Sequence, residues 1–150
     1  MRHNLLSRLA SVLVIFVAIL TSSFPSHSQD AIHYNTAGVE LYKSGDYAGA
    51  TRMLEIAYSL APDNKTIQSN LTNAHLAAAK ELVEANEVDA AIEELSAALE
   101  LRDDDADLYV YTASLCLNTG DPESAEGMLL SALDIAPEHK NAHLLLGEAY

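Results

Sequence analysis

The chain is 150 residues and 16.1 kDa, 49% hydrophobic, with 4 prolines and 6 glycines, which fits one domain and excludes a disordered tail. Its formal charge is -14, and beyond residue 28 it carries 6 Lys and Arg against 22 Asp and Glu. Such a surface repels phosphate backbones and anionic headgroups, and a lone cysteine, Cys116, leaves no intramolecular disulfide, cysteine-based zinc site or redox pair.

Residues 1–28 have the layout of a secretory leader. Arg2 and Arg8 precede a 12-residue apolar run, Leu9 to Leu20, and a polar stretch with Pro25 follows. Ser26 and Ser28 place small residues at the third and first positions before a cut at Ser28/Gln29. An uncleaved anchor needs about 20 apolar residues. Leu5 to Leu20 supplies 16, with Ser7, Arg8 and Ser11 among them. The expectation is cleavage, no stable membrane span afterwards, and a periplasmic or secreted protein.

From Ala31 onward Ala, Leu and Glu recur with the 3.6-residue period of helices, and no alternating strand pattern appears. The predicted helices are 31–43, 47–60, 65–85, 88–101, 106–118, 122–135 and 139–150. Asp30, then Asp63 or Asn64, then one of Asp103 to Asp105 are expected N-caps. Gly45, Asn86 and Gly120 stand where a helix closes in a left-handed residue. Pro62 and Pro137 stop two others. Lys65 to Leu71 contains no turn residue, and Ile67 and Leu71 keep the apolar phase of Ala74, Ala78 and Leu82. This stretch therefore predicts a lengthened helix, projecting about 10 Å past its neighbours at 1.5 Å per residue. Glu94 is expected on a solvent face.

The helices repeat. Gly38, Ala50, Ala57 and Pro62 lie 75 residues before Ala113, Ala125, Ala132 and Pro137. A middle copy supplies Ala79, Ala91 and Ala98, and Gly147 stands 34 after Ala113. Ten positions in register are all Gly or Ala, although those two types make up only 28 of residues 29–150, so chance is a poor explanation. Leu54, Leu95 and Leu129 are expected between successive hairpins.

With Tyr34, Gly38, Leu41 and Tyr47 in the first copy and Tyr109, Ala113 and Cys116 in the third, the pattern resembles the tetratricopeptide repeat. The second copy departs from it, with His75 at the aromatic position and Asp103 where proline is expected. The resemblance implies an all-α, right-handed α-solenoid of helix–turn–helix repeats, its second repeat having an elongated first helix. The repeats span approximately 31–64, 65–105 and 106–139, with a partial fourth at 140–150, in one array over 29–150.

Catalytic constellations are missing from the reading. Cys116 sits between Leu115 and Leu117 at a core position and reads as a structural thiol. His139 and His143 are four apart on one helix, too few ligands for zinc. Asp103, Asp104, Asp105 and Asp107 lack the glycine and bidentate Glu of a calcium loop and read as caps. Asn70-Leu71-Thr72 is a glycosylation sequon placed inside a helix. No cofactor or metal is implied, and no enzyme.

The resemblance instead implies a concave groove lined by the first helices. Its predicted lining is Ile32, Asn35, Val39, Tyr42 and Lys43, then Asn73, Leu76, Lys80, Val83 and Glu84. Asp107, Val110, Ser114, Leu117 and Asn118 continue it, followed by Asn141, Leu144 and Glu148. Asp107 stands where chaperone-binding members of the family carry a clamp lysine, so carboxylate capture of that type is not expected. The function expected is a non-enzymatic scaffold holding a peptide or helix of an envelope or secreted partner. The alternative is the N-terminal segment of a longer exported enzyme such as a peptidase. The unfinished fourth copy also predicts fraying at 139–150 and self-association.

Overall fold

A computed structural model describes residues 27–148. Its helices are α1 His27–Ser44, α2 Tyr47–Leu60, α3 Lys65–Glu84, α4 Val88–Leu101, α5 Ala106–Thr119, α6 Pro122–Ile135 and α7 Lys140–Glu148. No strand occurs among the described residues. The expected leader lies outside the described residues except for its last two, which open α1. Asp30 is therefore not the cap of α1. It lies inside the first turn, where a carboxylate meets the positive end of the helix dipole.

The remaining punctuation is local and follows the sequence. Asn64 Oδ1 accepts from the backbone N–H groups of Thr66 and Ile67 at 3.0 and 3.3 Å, and Asp105 Oδ1 accepts from Leu108 at 3.0 Å. Asp46 and Asp121 cap α2 and α6 in the same way, at 2.8 and 3.0 Å. Each satisfies a donor that the first turn of a helix leaves orphaned. Gly45, Asn86 and Gly120 have φ of 86°, 63° and 81°, the left-handed conformation that lets the chain double back after α1, α3 and α5.

Three hairpins result, α1–α2, α3–α4 and α5–α6, and each stacks its second helix on the first helix of the next unit, with α7 packed on α6. This is an all-α solenoid. Small residues set its spacing. Ala50, Ala57, Ala91, Ala98, Ala113, Ala125 and Ala132 are all 0% exposed, and Leu54, Leu95 and Leu129 fill the interior beside them. A Cβ on Gly38 would stand 2.6 Å from Leu54 Cγ, so the α1–α2 crossing admits no side chain there. Gly147 is exposed, because no described helix follows α7 to press on that side.

The lengthened helix is continuous: α3 has 20 residues against 14 in α4, about 9 Å more at 1.5 Å per residue. It does not project freely, however. Ile67 is buried with Ala31 and Ala57, and Leu71 with Ala50 and Leu54, so the first hairpin covers the extension. Gln68 Nε2 donates to the Leu101 carbonyl at 2.6 Å, and Asn70 Nδ2 donates to Asn35 Oδ1 at 2.8 Å. The extra turns thus join three helices.

Glu94 corrects the expectation of a solvent face. Its Oε2 lies 2.7 Å from Nδ1 of His75, a buried residue that takes the place of the family aromatic and carries its polar nitrogen into the α3–α4 hairpin. A buried imidazole needs such a partner.

Candidate functional site

The first helices α1, α3, α5 and α7 line one side of the stack, but not as one uninterrupted groove. No Cα of α3 comes within 8 Å of a Cα in α5. The second and third hairpins meet through α4 and through Leu108 and Leu115, which join a cluster with Ala79, Leu95, Ala98 and Leu99. Two clefts flank this junction on the first-helix side, and a further cavity of about 330 Å³ lies between α3 and the α4–α5 turn, lined by Lys65, Gln68, Asn73, Arg102, Asp103 and Asp104 among others.

The first lies between α1 and α3. Val39, Tyr42, Lys43, Leu54, Asn70 and Asn73 surround a cavity of about 250 Å³. Tyr42 and Asn73 also border a shallower cleft of about 490 Å³ with Tyr47, Leu76, Ala77, Lys80, Glu81 and Glu84. Tyr42 is exposed yet held edge-on against Tyr47, ring centroids 5.4 Å apart, which fixes a large amphipathic side chain at the rim. Lys80 is turned toward Glu84, Nζ to Oε1 3.9 Å, and both are open to water.

The second cleft lies between α5 and α7 and holds about 370 Å³. Asp107, Val110, Tyr111, Ser114, His139, Asn141, Leu144 and Leu145 line it. Val110, 8% exposed, and Leu145 tie this lining to the third-hairpin core of Ala113, Cys116, Ala125, Leu129 and Ala142. Tyr111 and Leu144 stand open at 44% and 63%. His139 fastens α7 here. Its Nδ1 accepts from the Ala142 N–H at 3.2 Å, so Nε2 carries the proton and donates to Asp107 Oδ1 at 2.9 Å.

The predicted lining thus falls into two groups and a remainder. Val39, Tyr42, Lys43, Asn73, Leu76, Lys80 and Glu84 meet in the first cleft; Asp107, Val110, Ser114, Asn141 and Leu144 meet in the second. Asn35 is spent on Asn70. Val83 and Leu117 lean against the core clusters, and Ile32, Asn118 and Glu148 are exposed but line neither cleft. Sequence reasoning passed over Tyr111, Asn70 and Glu81. Tyr111 lies one residue past Val110, and a wider stripe on the same helix face would have included it.

Cys116 is 1% exposed, and burial, then the Asp121 carboxylate, push its thiol up from the ordinary value, away from the reactive thiolate. His143 is committed to the Pro137 carbonyl, Nε2 to O 2.8 Å, and among the described residues no three His, Cys, Asp or Glu side chains gather as a metal site. No helix among the described residues is long and apolar enough to cross a membrane.

Stacked helical hairpins with small residues at every crossing and a face of open amphipathic side chains define a repeat protein. Residues 76–140 match the sequence model of the tetratricopeptide repeat, and the stacked helical hairpins fit that repeat. No curated protein matches the sequence. Among solved structures it is similar to the first tetratricopeptide domain of Spaghetti (RPAP3) bound to the HSP90 peptide SRMEEVD, at 18% identity and TM-score 0.45, over 81% of this chain and 91% of that one. It is also similar to the Arabidopsis OM64 tetratricopeptide domain, at 16% identity and TM-score 0.46, over 83% and 97%. The MamA protein is similar at 19% identity and TM-score 0.49, over 81% of each chain.

Proposed function

We propose that the chain is an exported adaptor that holds a peptide or helix of an envelope or secreted protein against its first-helix face. The single observation that carries the binding role is the pair of clefts rimmed by open Tyr42, Tyr111 and Leu144 on the first helices of the stack. Large amphipathic side chains fixed at a rim supply contact area at little cost in conformational entropy, which is how recognition faces concentrate binding energy. Export rests on the leader-like composition of residues 1–28.

Affinity capture from a periplasmic or secreted fraction tests this reading, with wild type beside a variant carrying Tyr42→Ala, Leu76→Ala, Tyr111→Ala and Leu144→Ala. The expected result is a set of proteins retained by wild type and lost by the variant. Equal retention by both would remove the binding role from this face. Leu13→Arg, by breaking the apolar run, is expected to leave the precursor uncleaved.

A further inference from the structure

The acidic charge of this chain is not spread along the array. Residues 29–80 hold 5 acidic and 4 basic side chains; residues 81–139 hold 16 acidic side chains and one basic, Arg102. That one has its Nη2 2.9 Å from Asp105 Oδ2, while its buried Nε has no partner among the described residues. The α5–α7 cleft opens inside this acidic half. Asp107 lines it with its side chain 95% exposed, so the bond to His139 leaves much of the carboxylate free for a second donor. Glu138 lies exposed on the turn that leads into α7, next to His139 of the lining, while Asp103 and Asp104 face a separate cavity with Lys65 and Arg102. Among the described residues no Lys or Arg lines the cleft, although the exposed Lys140 stands between His139 and Asn141 of its lining, whereas Lys43 and Lys80 line the first one.

We infer that the α5–α7 cleft takes a basic segment of another protein, anchored by at least one large apolar side chain between Tyr111 and Leu144 with Lys or Arg residues beside Asp107. This rests on the reading of the first-helix face as a recognition face and names the chemistry of its occupant. The apolar rim supplies the anchor, and the surrounding charge selects the sign and speeds encounter. An acidic peptide would meet like charge there and is disfavoured. At physiological ionic strength the field reaches about 8 Å, so Asp107, which lines the cleft, acts on a cation bound there with little screening.

The experiment is selection of a displayed library of random peptides on the full chain. One enriched peptide is then measured by fluorescence anisotropy, at low and at high salt, against wild type and three variants. Those are Tyr111→Ala with Leu144→Ala, Tyr42→Ala, and Leu130→Ala, an exposed residue of α6 outside both clefts. Because the substituted side chains are exposed, all variants are expected to keep the wild-type circular dichroism spectrum. Enriched peptides should be rich in Lys, Arg and large apolar residues. Affinity should fall about tenfold or more in the double variant, about 1.4 kcal/mol, fall with salt, and hold in Leu130→Ala. Neutral or acidic peptides, or loss of binding with Tyr42→Ala alone, would overturn the inference and leave the recognition face standing. Salt-sensitive binding that ignores the double variant would overturn it as diffuse attraction, and a dimer dissolved by the double variant would overturn it in favour of self-association. No enrichment, or neutral peptides indifferent to every variant, would overturn the recognition reading as well.

Discussion

Gly38→Ala and Gly127→Ala make the same chemical change inside two helices and are expected to act in opposite directions. An alanine in a helix interior is favoured over glycine by about 1 kcal/mol, because it has less backbone freedom to lose. At Gly127 in α6 a Cβ meets nothing within 4 Å, so this gain is collected in full. At Gly38 in α1 the new Cβ stands 2.6 Å from Leu54 Cγ, 3.1 Å from its Cδ2 and 3.2 Å from the Ala50 carbonyl oxygen. Leu54 is 1% exposed and the carbonyl belongs to α2, so neither can yield without moving the second helix of the hairpin. Overpacking of that kind costs about 1–3 kcal/mol, more than the propensity gain. The two variants should therefore differ by about 1–3 kcal/mol, Gly127→Ala lying above wild type and Gly38→Ala below. For an array of this size about 1 kcal/mol moves Tm by roughly 4 °C, well within thermal melting followed by circular dichroism. If both shift upward by the same amount, the close approach of α1 and α2 is wrong.

Leu129→Ala, at a fully buried position, should cost about 2–5 kcal/mol in urea unfolding, whereas Leu130→Ala next to it should stay within about 0.5 kcal/mol; equal costs would displace the α6 register. Cys116 should resist iodoacetamide at neutral pH in the folded chain and react on denaturation, and rapid native labelling would refute its burial. Hydrogen bonds from Ser124 hold the exposed Asp121 carboxyl below the usual carboxylate range. Its folded pKa is depressed, so the stability it adds is present above the unfolded value and is lost as pH falls through the folded one. Acid should loosen the start of α6 in wild type and leave Asp121→Asn comparatively unmoved, as followed by hydrogen exchange. His139→Ala removes the cap of α7 and should raise exchange across 140–148 about fivefold, for about 1 kcal/mol, with little change in the first two hairpins.

The sequence by itself determined the helices and the repeat. Helix ends depend on residues within a few positions of one another, so Asn64, Asp105, Gly45, Asn86 and Gly120 could be read before any packing was known. The crossings were equally legible, since two helices that touch every 34 residues must spend small side chains in register, as Ala113, Ala125 and Ala132 do at 0% exposure. What only the tertiary structure decided lies between hairpins, where partners come from distant parts of the chain. The α3 extension is covered because the first hairpin sets Ala31 and Ala57 on Ile67 and Ala50 and Leu54 on Leu71. Glu94 turns inward because His75, 19 residues away, needs a partner where an aromatic ring would need none. The predicted single groove became two clefts because α3 and α5 do not approach as α1 and α3 do, and that spacing depends on how whole hairpins stack. Residue spacing along one helix fixes which face a side chain shares; the neighbouring hairpin decides whether that face stays open.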